Sequence, residues 1–135
     1  MKRRKAREIA LKVLFQVDVA RADPAQAMSY LLEEEKVPEE ASRFAEEIVR
    51  GTLSNLKSID GYLDELSRDW PLERMGNVDR NVLRMACFEL LYREDIPAGV
   101  TINEAVELAK VYGDSGSGKF VNGILGSLAQ RLGKE

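Results

Sequence analysis

The sequence predicts an all-α protein, a compact single domain of about seven helices, on three observations. Apolar residues recur with the 3.6-residue period in segment after segment, no segment alternates with period two, and turn residues fall at helix-like intervals. The 135 residues, read as one domain over 1–135, are enough to bury a core without disulfides. No internal repeat appears, and the only biased tract is the short loop from Gly113 to Gly118.

The first helix covers Lys2 to Val19, KRRKAREIALKVLFQVDV. Its residues Ala6, Ile9, Ala10, Val13, Leu14 and Val17 share one face and commit that face to the core. Leu11 and Phe15 fall roughly opposite, with Arg4, Glu8 and Val19, so something other than the main core must cover them. Asp23-Pro24 reads as an N-cap followed by proline at the first helical position, opening a helix with Ala27, Met28, Leu31 and Leu32 inward. That helix ends in Glu33-Glu34-Glu35, a solvated edge. Val37-Pro38 starts the third, whose inward residues run from Phe44 through Ile48 and Val49 to Leu53. Beyond Asn55 the pattern continues as Leu56, Ile59, Leu63 and Leu66, one bent helix or two, until Trp70-Pro71 stops it.

Val78 to Tyr92 is the most apolar candidate and therefore the central helix. Its narrow polar edge, Arg80, Asn81, Arg84 and Glu89, is expected to be exposed. Thr101 and Glu104 have the spacing of a capping box, opening a helix that ends at Gly113. The last helix runs from Lys119 to Leu132, with Val121, Ile124, Leu125 and Leu128 inward, Phe120 at the margin and Lys119 pointing away.

Composition removes several function classes. The chain has no histidine and one cysteine, Cys87, inside an apolar run, so a Cys/His zinc site, a Ser-His-Asp triad and a histidine base are excluded. Burial in that helix would raise the Cys87 thiol and make it a poor nucleophile. Paired carboxylates such as Glu39-Glu40, Glu46-Glu47 and Asp64-Glu65 fall on outer faces without a convergent partner. No catalytic constellation, metal or cofactor is expected. Gly113 to Lys119 matches the first seven positions of GxxxxGK, but Phe120 stands where a magnesium-binding hydroxyl belongs, and a helix precedes the loop instead of a strand. A plain helix–helix connection explains it better. Without a signal-like segment or a run of roughly 20 apolar residues, a cytoplasmic setting away from membranes is the expectation.

The net charge of −3 conceals an asymmetry. Residues 1–12 carry Lys2, Arg3, Arg4, Lys5, Arg7 and Lys12 against Glu8 alone, +5, which leaves −8 for the rest. This is the pattern of a local footprint for phosphate on an acidic body, or of a solvated terminus. Phe120 beside Lys119 likewise admits two readings: a ring that stacks on an unpaired base, or one folded down to close the core.

The whole chain, in one colinear order, resembles the NusB family of bacterial transcription antitermination factors. The residues that carry the resemblance are Arg3-Arg4-Lys5-Ala6-Arg7-Glu8, Val78-Asp79-Arg80, Val82-Leu83-Arg84, Glu89-Leu90-Leu91 and Asp95-Ile96-Pro97. Most specific are the run from Ile102 through Asn103 and Glu104 to Lys110 and the run from Lys119-Phe120-Val121 to Leu125. The resemblance implies two small helical bundles and a role without catalysis. It further implies pairing with NusE, a small-subunit ribosomal protein, and binding of the pair to the single-stranded boxA element of nascent RNA. With other Nus factors and RNA polymerase, such a pair supports processive elongation, notably on ribosomal RNA operons. By the same resemblance Arg3, Arg4, Lys5 and Arg7 would contact RNA, helped by Lys119 and Phe120. Phe15, Asp79 and Arg84 would lie at the protein-partner surface. The loop departs from the family pattern, because Gly116 and Gly118 stand where polar or acidic side chains are expected.

Two alternatives remain. Related domains occur fused to RNA methyltransferases, although this chain is too short to include the catalytic part and has no cofactor-binding strand pattern. The other is a helical protein-binding scaffold whose basic end is incidental. A homodimer would hide Phe15 and the basic patch until a partner or RNA competed for them.

Overall fold

The computed structural model describes residues 2–134; Met1, Glu135 and the Lys2 side chain of the basic run lie outside that description. The described residues form seven α-helices: α1 (Lys2–Ala20), α2 (Pro24–Glu35), α3 (Glu39–Ser54), α4 (Leu56–Leu66), α5 (Asn77–Tyr92), α6 (Ala98–Tyr112) and α7 (Ser117–Arg131). A 3-10 turn, Leu72–Arg74, leads into α5. Helices α1, α2 and α3 pack as one bundle and α4 to α7 as a second, while α5 touches both through α1 and α3. No helix of the described residues is long and apolar enough to cross a membrane.

Several local expectations hold. Asp23 caps α2, its carboxylate accepting the Gln26 N–H at 3.0 Å, with Pro24 at the first helical position. Ala6, Ile9, Ala10, Val13 and Leu14 of α1 are buried as their spacing requires. Chain reversal after α2 uses Lys36 in the left-handed region at φ 52°, its N–H returning to the Glu33 and Leu32 carbonyls. The stretch from Glu39 to Leu66 is two helices and not one bent one. Asn55 leaves helical geometry and its side-chain amide donates to the Gly51 carbonyl at 2.8 Å, so α4 starts afresh.

Other expectations are corrected. Leu11 is buried, because α1 is flanked by α2, α3 and α5 and is enclosed over more than one face. The polar edge of α5 is not exposed: Asn81 and Glu89 are buried and Arg80 and Arg84 nearly so, since each meets a polar group from another helix. Thr101 and Glu104 form no capping box. Helix α6 starts a turn earlier, behind Pro97, whose ring presets the helical φ, and both side chains are engaged elsewhere. Glu35 is not a solvated edge, because it turns back onto Lys5 and Lys12 of α1. Helix α7 begins at Ser117, whose hydroxyl accepts the Asp114 N–H at 2.9 Å. Gly118 is buried there against Lys110 and Val106, which accounts for its small size, whereas Gly116 faces open space.

Candidate nucleic-acid interface

The basic start of α1 is ordered by carboxylates and one aromatic ring from other elements. Arg7 is buried and makes a two-pronged ion pair with Glu89 of α5, at 2.9 and 2.8 Å, while Thr101 of α6 donates its hydroxyl to the same carboxylate at 2.8 Å. Three guanidiniums surround the Phe44 ring of α3: Arg3 at 4.4 Å from the centroid, Arg7 at 5.2 Å and Arg93 at 5.3 Å. Arg93 is in turn held by Asp95 at 2.9 Å and Glu47 at 3.2 Å.

Arg4 remains 56% exposed and donates twice to Glu104 of α6, at 2.9 and 2.7 Å. Lys5 pairs with Glu35 at 2.6 Å, and Lys12 reaches the same carboxylate at 3.4 Å. A cleft of about 430 Å³ opens beside these groups, with Arg3, Arg4 and Arg7 facing Ile96, Pro97 and Val100. Of the residues expected to contact RNA, Arg3 and Arg4 thus share one accessible cleft, Lys5 flanks it on the same helix end, and Arg7 forms its buried support. Lys119 is exposed and Phe120 packs partly on the core; neither lines this cleft.

The residues expected to meet a protein partner separate into two places. Phe15 is half-buried in a hollow of about 330 Å³ with Leu11, Lys12, Gln16, Val78 and Tyr112; Asp79 follows Val78 in the chain but does not line the hollow. Arg84 lies in a different cleft, of about 830 Å³, beside Asp18, Asp60 and Arg80. There its guanidinium donates to both Asp60 oxygens at 2.9 Å. Arg80 donates to Asp18, Asn77 and the carbonyls of Leu72 and Met75, tying the 3-10 turn to α1 and α5. Burial alone would raise the Asp18 carboxyl, but hydrogen bonds from Arg80 and Asn81 outweigh it and hold Asp18 below the usual carboxylate range. Cys87 behaves as expected of a desolvated thiol, pushed up to about 12 by burial.

Sequence reasoning missed Phe44, Arg93, Glu35 and Glu104 as members of this end of the molecule. Glu104 stands 100 residues from Arg4, and no spacing rule joins them.

A family model described as the NusB family matches residues 4–130. The chain belongs to the NusB family. It is 54% identical over 132 residues to the transcription antitermination protein NusB of Heliobacterium modesticaldum, covering 98% of this chain and 64% of that relative's length. Against the protein of the same name from Pelotomaculum thermopropionicum the identity is 50%, over 96% of this chain and 90% of the relative. Among solved structures, T. maritima NusB superposes with a TM-score of 0.86 at 45% identity, covering 95% and 90% of the two chains. A NusB chain crystallised with NusE and double-stranded RNA superposes at 0.89 with 28% identity, covering 96% and 97%. The two-bundle helical arrangement is therefore the NusB fold.

Proposed function

We propose that this chain acts as a transcription antitermination factor of the NusB family, a single RNA-binding helical domain that works by binding and performs no catalysis. Together with NusE it engages boxA-type RNA as it is transcribed, in the cytoplasm, and with other Nus factors and RNA polymerase supports processive elongation, notably on ribosomal RNA operons. The observation that carries this reading is the family match across nearly the entire chain, joined to a related NusB that crystallises with NusE and RNA. The basic end of α1 supplies the chemistry. Arg3 and Arg4 present guanidiniums beside the Ile96, Pro97 and Val100 wall, suited to phosphate on one side and to the face of an unpaired base on the other. Lys5 adds charge on the same helix end, and Lys119 and Phe120 would contact RNA separately, from α7 outside the cleft. Arg7, saturated by Glu89, holds α1 in place for them.

Salt titration of RNA binding tests the reading. Affinity for boxA-type single-stranded RNA should fall with salt, and Arg4→Ala should weaken binding. Equal binding of boxA-type and scrambled RNA, with and without NusE, would overturn it. For the partner, the hollow containing Phe15, Val78 and Tyr112 offers an apolar seat with Lys12 at its edge. Phe15→Asp should weaken NusE binding at least tenfold in calorimetry while leaving the melting temperature nearly unchanged, since a charge at a desolvated apolar contact is costly. A collapse in thermal stability instead would make Phe15 a core residue.

A further inference from the structure

Three of the accessible cations of α1 are already paired. Arg4 is clasped by Glu104, and Lys5 and Lys12 share Glu35, although both of these carboxylates come from other helices. Folding does not require the clasps. Arg4 is 56% and Lys5 43% exposed, and pairs so solvated contribute little to stability. Glu35 even stands in the last turn of α2, where a negative charge opposes the helix dipole.

A phosphate that reaches Arg4 or the two lysines must displace a carboxylate tethered beside them at high effective concentration, which dilution cannot remove. From this we infer that Glu104 and Glu35 are intramolecular competitors for RNA phosphate, residues that set the affinity and salt dependence of the basic end. The inference rests on the RNA-binding reading above and deepens it. With the clasps closed, Arg4, Lys5 and Lys12 gain little from an arbitrary polyanion, and RNA is retained where base contacts or a protein partner add to the phosphate contacts. Hydrogen bonds from Arg4 and Lys5 hold the Glu104 and Glu35 carboxyls below the usual range, so the clasps stay charged at neutral pH.

The slope of log affinity against log salt separates this from a general charge effect. Exchanging phosphate for carboxylate neutralises no net charge, whereas a freed cation does. Glu104→Gln and Glu35→Gln each remove one competing negative charge, so each slope should steepen by roughly 0.7 on single-stranded RNA. Affinity at low salt should rise roughly two- to fivefold for each substitution. Glu73→Gln is the matched control, with the same change in net charge. It sits in the 3-10 turn whose Leu72 and Met75 carbonyls are joined through Arg80 to Asp18, about 21 Å along α1 from Arg4. The melting temperatures of all three variants should match wild type.

Tighter binding with a steeper slope in the first two variants and not in the control supports the inference. Unchanged binding in both, or the same gain in the control, overturns it while wild-type binding keeps the RNA reading intact. A wild-type protein that shows no salt-dependent RNA binding overturns both.

Discussion

Arg7 and Glu89 show how one side chain's surroundings decide its role. Both are almost fully buried, each satisfies the other in two-pronged geometry, and Thr101 supplies a third hydrogen bond to the carboxylate. Removing one member strands the other charge in a low-dielectric interior, so Arg7→Met should cost about 3–5 kcal/mol, read as a lowered urea midpoint. Adding Glu89→Leu should recover part of that loss, because no unpaired charge then remains. An unchanged midpoint in the single variant would mean that water reaches Glu89. Within the basic run Arg7 is indistinguishable from Arg3 and Arg4 by residue type. Its partner lies 82 residues away, beyond any local pattern.

At the scale of elements, the central pairing of α3 with α5 depends on a glycine. A methyl group added at Gly51 would sit 2.1 Å from a Phe88 ring carbon, and Phe88 is itself buried and stacked at 5.6 Å on Tyr92. Alanine is worth about 1 kcal/mol more than glycine within a helix, yet Gly51→Ala should destabilise by about 1–3 kcal/mol, because overpacking outweighs propensity. Gly126 of α7, with nothing near its would-be Cβ, should show the opposite sign: Gly126→Ala should gain about 0.5–1 kcal/mol. Thermal unfolding of the two variants checks both. Helix ends were legible where a side chain capped its own helix, as Asp23 does for α2. They were misread at α6, where Thr101 and Glu104 have the spacing of a cap but are drawn to Glu89 and Arg4.

For the molecule as a whole, Asp18 is a junction that joins α1 to α5 and, through Arg80, to the 3-10 turn. Asp18→Asn should cost about 1–3 kcal/mol at neutral pH through weakened charge-assisted hydrogen bonds. Because the folded state depresses the Asp18 carboxyl, its contribution is fully present above the ordinary aspartate range and is lost as pH falls through the depressed value. The gap between wild type and variant should therefore close in acid, measured by urea unfolding at a series of pH values; a gap that persists would assign the loss to packing. The sequence by itself determined the all-helical class, the inward face of nearly every helix, the basic end of α1 and the family resemblance. These depend on local periodicity and on colinear motifs, both of which survive without coordinates. Only the tertiary structure decided which charges are free. The ion pairs that bury Arg7, immobilise Arg84 and clasp Arg4 join residues 24 to 100 positions apart, and helix packing alone brings such residues together. The basic helix end is thus written in the chain, but which of its cations are paired is decided by carboxylates that the fold delivers to it.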